Sequence, residues 1–315
     1  MIDFRFHLVS IVSIFLALAV GIVLGAGPLQ GSIGTQLTDQ VAQLRQEKDT
    51  LRSQLDDATK SVDAQQDYAA RVAGAALAGR LVTSDIVLVV GTDTAGKFSD
   101  EVRQALRQAG ATVTTVVTLK DEFRDPATAV DRLTAGRKAA ELVGVTPTDD
   151  ADTLLADVVS RVLVHAPGTN GAPLPDAAEA LGALKSAGFL DWSQSDLQRA
   201  SEVVVLAGPY GGTSASVASQ TAPLMALTTA LNAASSGVVV ASGAPTTGVG
   251  QDVTTNLVTQ VRADKQAAAA ISTVDHADST IGAGLVVLAA VRELSGVSGH
   301  YGISPDAQTT VPPAS

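Results

Sequence analysis

The 315-residue chain has no cysteine, four histidines and two methionines, and its aromatic residues are one tryptophan, three tyrosines and six phenylalanines. Without cysteine there are no disulfides and no thiolate metal sites, and soft metal ligands are nearly absent. Basic residues are also short: 21 against 32 acids, a net charge of −11. That balance argues against nucleic acid and against lying on anionic lipid head groups. What remains is a chain rich in Ala, Val, Thr and Gly, which suits a close-packed α/β domain. A chain this long can bury a core without covalent staples.

One region reverses the shortage of long apolar runs. Leu8 to Leu24 reads LVSIVSIFLALAVGIVL, with no charge in it. A helix of about 20 such residues crosses a hydrocarbon core, and no polar stripe is left to face water. Residues 1–28 are therefore read as a transmembrane anchor, or an uncleaved signal. The competing reading is a cleaved secretory signal, with Gly25, Ala26 and Gly27 as small residues at the cut. Against it, the run exceeds the ~7–15 residues of a signal core. Arg5 precedes the run and the next base is Arg45, so the positive-inside rule expects a cytoplasmic N-terminus and a body outside the cytoplasm.

Residues 29–78 are expected to form a hinge and a coiled coil. Gly27, Pro28, Gly31 and Gly34 are expected to break the helix. Leu37, Leu44 and Leu51 then recur every seven residues, with Ala58 next. Val41, Lys48, Leu55 and Val62 take the partner positions. Glu47 and the following Arg52 fall where they can pair between parallel chains, so this seam predicts a homodimer. The alternative is one amphipathic helix folded back on its own domain.

From residue 85 to 303 the pattern is that of an α/β domain. Ile86–Gly91 is a continuous apolar run, the mark of a strand buried on both faces of a parallel sheet. A helix follows, with Ser99 as its expected N-cap and Gly110 as its stop, and then a strand over Ala111–Leu119. A helical middle covers roughly Ala127–Leu163 and Asp176–Ala187. Val203–Gly208 and Gly237–Ala241 read as strands, with a helix over Ser214–Ala234 between them. Ala267–Val274 reads as the last strand and Thr280–Leu294 as the closing helix. This alternation predicts a doubly wound, mostly parallel sheet. Residues 304–315 are expected to be a disordered tail.

No catalytic or cofactor-binding residue is assigned. The loops after the strands at Gly91–Lys97, Gly208–Ser214 and Ser242–Gly250 match no phosphate fingerprint. Gly91-x4-Gly96-Lys97 has Walker spacing, but Phe98 stands where the hydroxyl belongs. There is no G-x-S-x-G elbow, and no two histidines stand at ligand spacing. One cluster could hold metal: Asp275, His276 and Asp278, whose oxygen and imidazole donors suit divalent rather than cuprous copper. The bland reading is that Asp275 or Asp278 caps the next helix while His276 sits exposed in a turn.

Several strings resemble the actinobacterial family of mycobacterial copper transport outer-membrane proteins, MctB. They are IFLALAVGIVLG at Ile14–Gly25, the IVLVVGTD strand, and STVD at Ser272–Asp275 with Asp278, followed by GHYG at Gly299–Gly302. The likeness spans residues 1–303. It implies an envelope location in a mycolic-acid bacterium and a non-enzymatic role in copper transport, efflux or tolerance, with copper the one metal implied. A transmembrane barrel would show many ten-residue alternating segments; with one apolar helix and buried strands, no pore through the domain is expected. Family members are also linked with cell separation. The alternative is therefore a membrane-anchored dimeric scaffold that recruits or activates a peptidoglycan hydrolase with a membrane or division partner.

Overall fold

The computed structural model describes residues 4–26, 28–91, 93–193, 197–208, 210, 214–244 and 256–313. The chain folds as two units, residues 1–65 and 66–315.

The first unit is helical. α1 (Phe4–Ala26) contains a stretch, Arg5–Gly25, with mean hydropathy 2.8, long and apolar enough to cross a membrane. Its large apolar side chains from Phe6 to Leu24 are all exposed, and Ser13 hides its hydroxyl by donating to Val9 O at 2.8 Å. α2 (Pro28–Leu77) begins in this unit and runs on into the second. Gly31 and Gly34 lie inside α2, which corrects the expected break; Gly27 lies outside the described residues. Each glycine costs a helix about 1 kcal/mol, and the Gln-, Leu- and Ala-rich sequence after them favours helix strongly enough to absorb that. Leu37, Val41, Leu44, Leu51, Leu55 and Val62 are exposed along it. Lys48, at its seam position, lies 4.0 Å from its neighbour Asp49.

The second unit is a seven-stranded open sheet in the order β3-β2-β1-β4-β5-β6-β7. β1 (Asp85–Val90), β2 (Thr112–Leu119), β4 (Glu202–Ala207), β5 (Gly237–Ser242), β6 (Ser272–Val274) and β7 (His300–Tyr301) are parallel, while β3 (Leu190–Trp192) runs antiparallel on the β2 edge. The mostly parallel α/β reading is borne out. Strand residues point alternately to two cores. Val87, Val89, Val203, Val205, Val238 and Val240 enter one; Ile86, Leu88, Val90, Val204, Leu206 and Val239 enter the other. The first core is closed by α5 (Ala129–Val143), α6 (Ala151–Leu163), α7 (Ala177–Ser186), α8 (Ser214–Ala234) and α9 (Leu257–Ala263). The second is closed by α3 (Asp93–Gln108), α11 (Thr280–Leu294) and the end of α2 at Leu77. Gly136 lets α5 and α6 approach: a Cβ there would lie 2.7 Å from Leu155 Cδ1.

Several expectations are corrected. Ser99 is not a cap: α3 opens at Asp93, and the Ser99 hydroxyl donates to Gly96 O at 2.8 Å inside the helix. The helical middle breaks at Gly144, whose φ of 69° ends α5, and restarts where Asp150 accepts from Thr153 N at 2.7 Å. A short α4 (Asp121–Arg124), which was not expected, precedes it directly after β2. Ala267–Val274 is not one strand. Four alanines favour helix, and the Asp264 carboxylate accepts from the Gln266 and Ala267 amides, so α10 (Lys265–Ala270) forms and β6 keeps three residues. Nor is β6 last, since β7 follows. The tail beyond residue 303 is bonded back on the body: Gly302 N donates to Thr309 O, Gln308 N to His300 O, and Arg292 to Pro313 O.

Candidate functional site

In doubly wound sheets, ligands sit outside the carboxyl ends of the strands where the order reverses. Here the reversal lies between β1 and β4. The two strands are drawn together there: Gly91 N donates to Leu206 O at 2.6 Å, and a Cβ on Gly91 would lie 3.2 Å from that oxygen. Of the expected Gly91–Lys97 loop, residues 93–97 are already the first turns of α3. Residues 92, 209, 211–213 and 245–255, which include much of the other two loops, lie outside the described residues.

Past β4, Tyr210 is buried with its ring 4.8 Å from the Arg124 guanidinium. Arg124 also donates to Gln220 Oε1 at 2.8 Å and Asp121 Oδ1 at 2.6 Å. Burial pushes the Tyr210 hydroxyl well above the usual phenol value, so this group stays protonated. The arrangement ties α4 to α8 across the crevice mouth.

The expected metal residues lie at the end of β6. Asp275 is 2% exposed and its carboxylate is spoken for. Oδ1 accepts from His276 Nδ1 at 2.7 Å, Ile303 N at 2.8 Å and Ser304 N at 3.2 Å, and Arg262 Nη1 lies 2.9 Å from Oδ2. Burial pushes its pKa up, but the bonds from His276, Ile303 and Arg262 outweigh it and hold the carboxyl below its usual range. His276 has a left-handed backbone, φ 53°, and a side chain 31% exposed. With Nδ1 on Asp275, its Nε2 is the ring nitrogen left for other contacts. Asp278 turns to the loop after β5, where Oδ1 accepts from Ala244 N at 3.0 Å. The structure thus joins Asp275 to His276 and leaves Asp278 apart. Among the described residues, no three His, Asp or Glu side chains gather to hold a metal ion. Neither aspartate caps α11: Ser279 does, accepting from Gly282 N at 3.0 Å.

What the motif residues build is a buried latch, which the sequence reading did not foresee because its centre, Arg262, is remote in sequence. Arg262 Nε donates to Thr273 Oγ1 at 2.8 Å, Nη2 to Tyr301 O at 2.9 Å and Nη1 to Asp306 Oδ1 at 2.8 Å. Thr273 Oγ1 is 2.9 Å from His300 Nδ1, and Ser272 Oγ accepts from Gly299 N at 3.0 Å. Gly302, at φ 132°, is pressed on the Asp275 carboxylate where any Cβ would collide. Ser272, Thr273, Asp275, Gly299, His300 and Gly302 therefore have structural work in closing the β6–β7 edge.

The remaining histidines and carboxylates lie elsewhere. His165 is held within its own loop by Ala166 O and Thr169. Asp191 pairs with Lys185 at 2.6 Å on the far sheet edge.

A helix fit to cross a membrane, ahead of an open doubly wound body, defines a membrane-anchored α/β protein. The family model described as "Copper transport outer membrane protein, MctB" matches residues 1–312, and the chain belongs to that family. The resemblance read from the two ends of the sequence is borne out. The copper transporters MctB of Mycobacterium tuberculosis and Mycobacterium bovis are each 28% identical over 331 residues, covering 96% of this chain and 96% of theirs. That of Mycobacterium leprae is 28% identical over 329 residues, covering 99% of this chain and 100% of its own.

Proposed function

We propose that this protein handles copper in the cell envelope as a non-enzymatic member of its family, held in a membrane by α1 with the α/β body outside the cytoplasm. The observation that carries this is the family match along almost the whole chain, apolar helix and body together. Copper is the cargo, and His276 Nε2, oriented by Asp275 behind it, is the donor the body offers. A carboxylate behind an imidazole fixes the ring and raises its basicity as a ligand. Asp275 acts through the ring, and Asp278 is a neighbour. One imidazole binds weakly alone, so copper is passed rather than stored. The chain works as a homodimer: the exposed seam at Leu37, Val41, Leu44, Leu51, Leu55 and Val62, interrupted by Lys48, is what a parallel partner would cover.

The test is deletion of the gene. Copper content should rise and growth at raised copper should fail, with both restored by the intact gene and only partly by His276→Ala. That same seam favours a second reading, a scaffold for cell separation. Chained, unseparated cells with normal copper content would replace the first reading with the second.

A further inference from the structure

At the amino edge of the sheet, opposite the crevice, two carboxyl groups are buried side by side. Glu202 opens β4 and is 2% exposed; Glu293 lies in the last turn of α11 and is 5% exposed. Gly237 brings them together. It is the register partner of Glu202 in β5, and a Cβ on it would lie 2.9 Å from Glu293 Oε2. Glu293 is partly satisfied, since Oε1 accepts from Ser272 N at 2.7 Å. Glu202 is less so: neither of its oxygens has a partner in good hydrogen-bond geometry, and the polar group beside it is the Ser84 hydroxyl. An unpaired buried carboxylate is costly enough that the group keeps its proton instead. Burial pushes Glu202 up, Ser84 nearby eases the charge, and Glu293 pushes it further, to about 7. Burial raises Glu293 as well, against bonds from Ser272 and Ser298.

Ser84 ends the short segment that joins α2 to β1. That segment is tightly seated. Leu81 is fully buried with its amide on Ala109 O at 2.9 Å, and Ser84 N donates to Leu81 O at 3.1 Å. It is also strained, because Thr83, a β-branched residue, is held at φ 76°. A strained seat whose Ser84 adjoins a poorly bonded buried carboxyl is one that a new buried charge can loosen.

We propose that Glu202 and Glu293 form a proton-operated clamp on the junction at residues 78–84. With a proton on Glu202 the junction stays seated. When Glu202 releases it to solvent, two like charges face each other under the junction and the segment opens more often. No other bond is made or broken. The charged residues on the elements around the pair include Arg80 in the junction itself, Asp85 beside Ser84 and Arg292 beside Glu293. Arg292 is turned to Pro313 O, and the charge that acts on Glu202 is that of Glu293.

Hydrogen exchange on the full-length protein in lipid nanodiscs tests this. Between pH 6 and 8.5, opening of residues 79–84 should rise about tenfold beyond the intrinsic change in exchange rate, because an opened Glu202 regains an ordinary carboxyl pKa. In Glu202→Gln the rise should fall below about twofold, and in Glu293→Gln it should be intermediate. An equal rise in Glu202→Gln overturns the clamp. If that variant does not fold, the unmutated protein decides alone: protection that is flat across this range also overturns it.

Discussion

Leu44 on α2 is 63% exposed, while Leu88 on β1 is 0% exposed. The same side chain meets opposite surroundings in the two units, and the difference separates two kinds of apolar pattern. On α1 and the first part of α2 the large apolar side chains from Phe6 to Leu24 and from Leu37 to Val62 are exposed. In the body, strands and helices cover one another, and even titratable groups are drawn in: Arg262, Asp275, Glu202 and Glu293 are all buried there. Apolar area left in water contributes nothing to folding, whereas burying a leucine contributes about 1.5–3 kcal/mol. The body's core is therefore its own, whereas α1 is long and apolar enough to enter lipid and the large apolar side chains of α2 from Leu37 to Val62 stay exposed.

The largest effect that would break this comparison lies in the latch. Arg262→Ala leaves Asp275 buried without its cation, which should cost the body about 3–5 kcal/mol. Trp192, the single tryptophan, sits on β3 and reports body unfolding by fluorescence in urea. Leu44→Asp with Leu51→Asp should leave that transition where it is, while converting the detergent-solubilised protein from dimer to monomer by sedimentation. A body transition that moved with the α2 pair would show that the two units do not fold separately.

How much of this was legible depended on how local the cause was. The bounds of α8 and α11 agree to the residue with the expected Ser214–Ala234 and Thr280–Leu294, because composition and length act within the segment. β1, β4 and β5 were legible as continuous apolar runs. Ala267–Val274 failed because Asp264, just outside the run, caps the alanines into a helix. β3 has three residues and exists only by pairing with β2, which no local pattern announces. The tail, polar and proline-bearing, is ordered by Arg262, distant in sequence, and by folding back on β7 just before it. For the site, Asp275 and His276 were found as neighbours, but the ring's orientation and the distance of Asp278 depend on Arg262, Ile303 and Ala244. Glu202 left one local signal, an acid at the head of the run VVVLAG.

The next effect sharpens the comparison through pH. Glu202 is raised from 4.5 to about 7 in the folded body. The folded state thus holds more protons than the unfolded chain between those values, and stability is lost as pH rises through that window. The loss should amount to about 2–3 kcal/mol, complete once pH passes the folded value. Glu202→Gln should remove most of this slope and leave the variant the more stable of the two at pH 8. Asp275 has the opposite sign: held below 3.8, it adds stability that disappears as pH falls through its folded value. Urea titrations of the Trp192 signal at pH 5, 6, 7 and 8 measure the slope. A stability that climbs from pH 5 to 8 would mean that Glu202 is ionised and paired in the fold.

The smallest effect compares two neighbours that the sequence alone could not rank. Ser279 and Asp278 both stand before α11 and both are suitable N-cap residues. Ser279 Oγ takes the Gly282 amide, and Gly282 is packed on the His276–Ala277 backbone, so this helix start cannot shift to find another cap. Losing that acceptor leaves a helix-terminal amide unmet, and Ser279→Ala should cost about 1 kcal/mol. Asp278 is exposed and bonded to the loop after β5, so Asp278→Ala should stay within about 0.5 kcal/mol. Urea midpoints of the two variants, read at one pH near 6, decide between them. If Asp278→Ala proves as costly as Ser279→Ala, the carboxylate supports the start of α11 after all, and the exposed acid belongs with the buried ones.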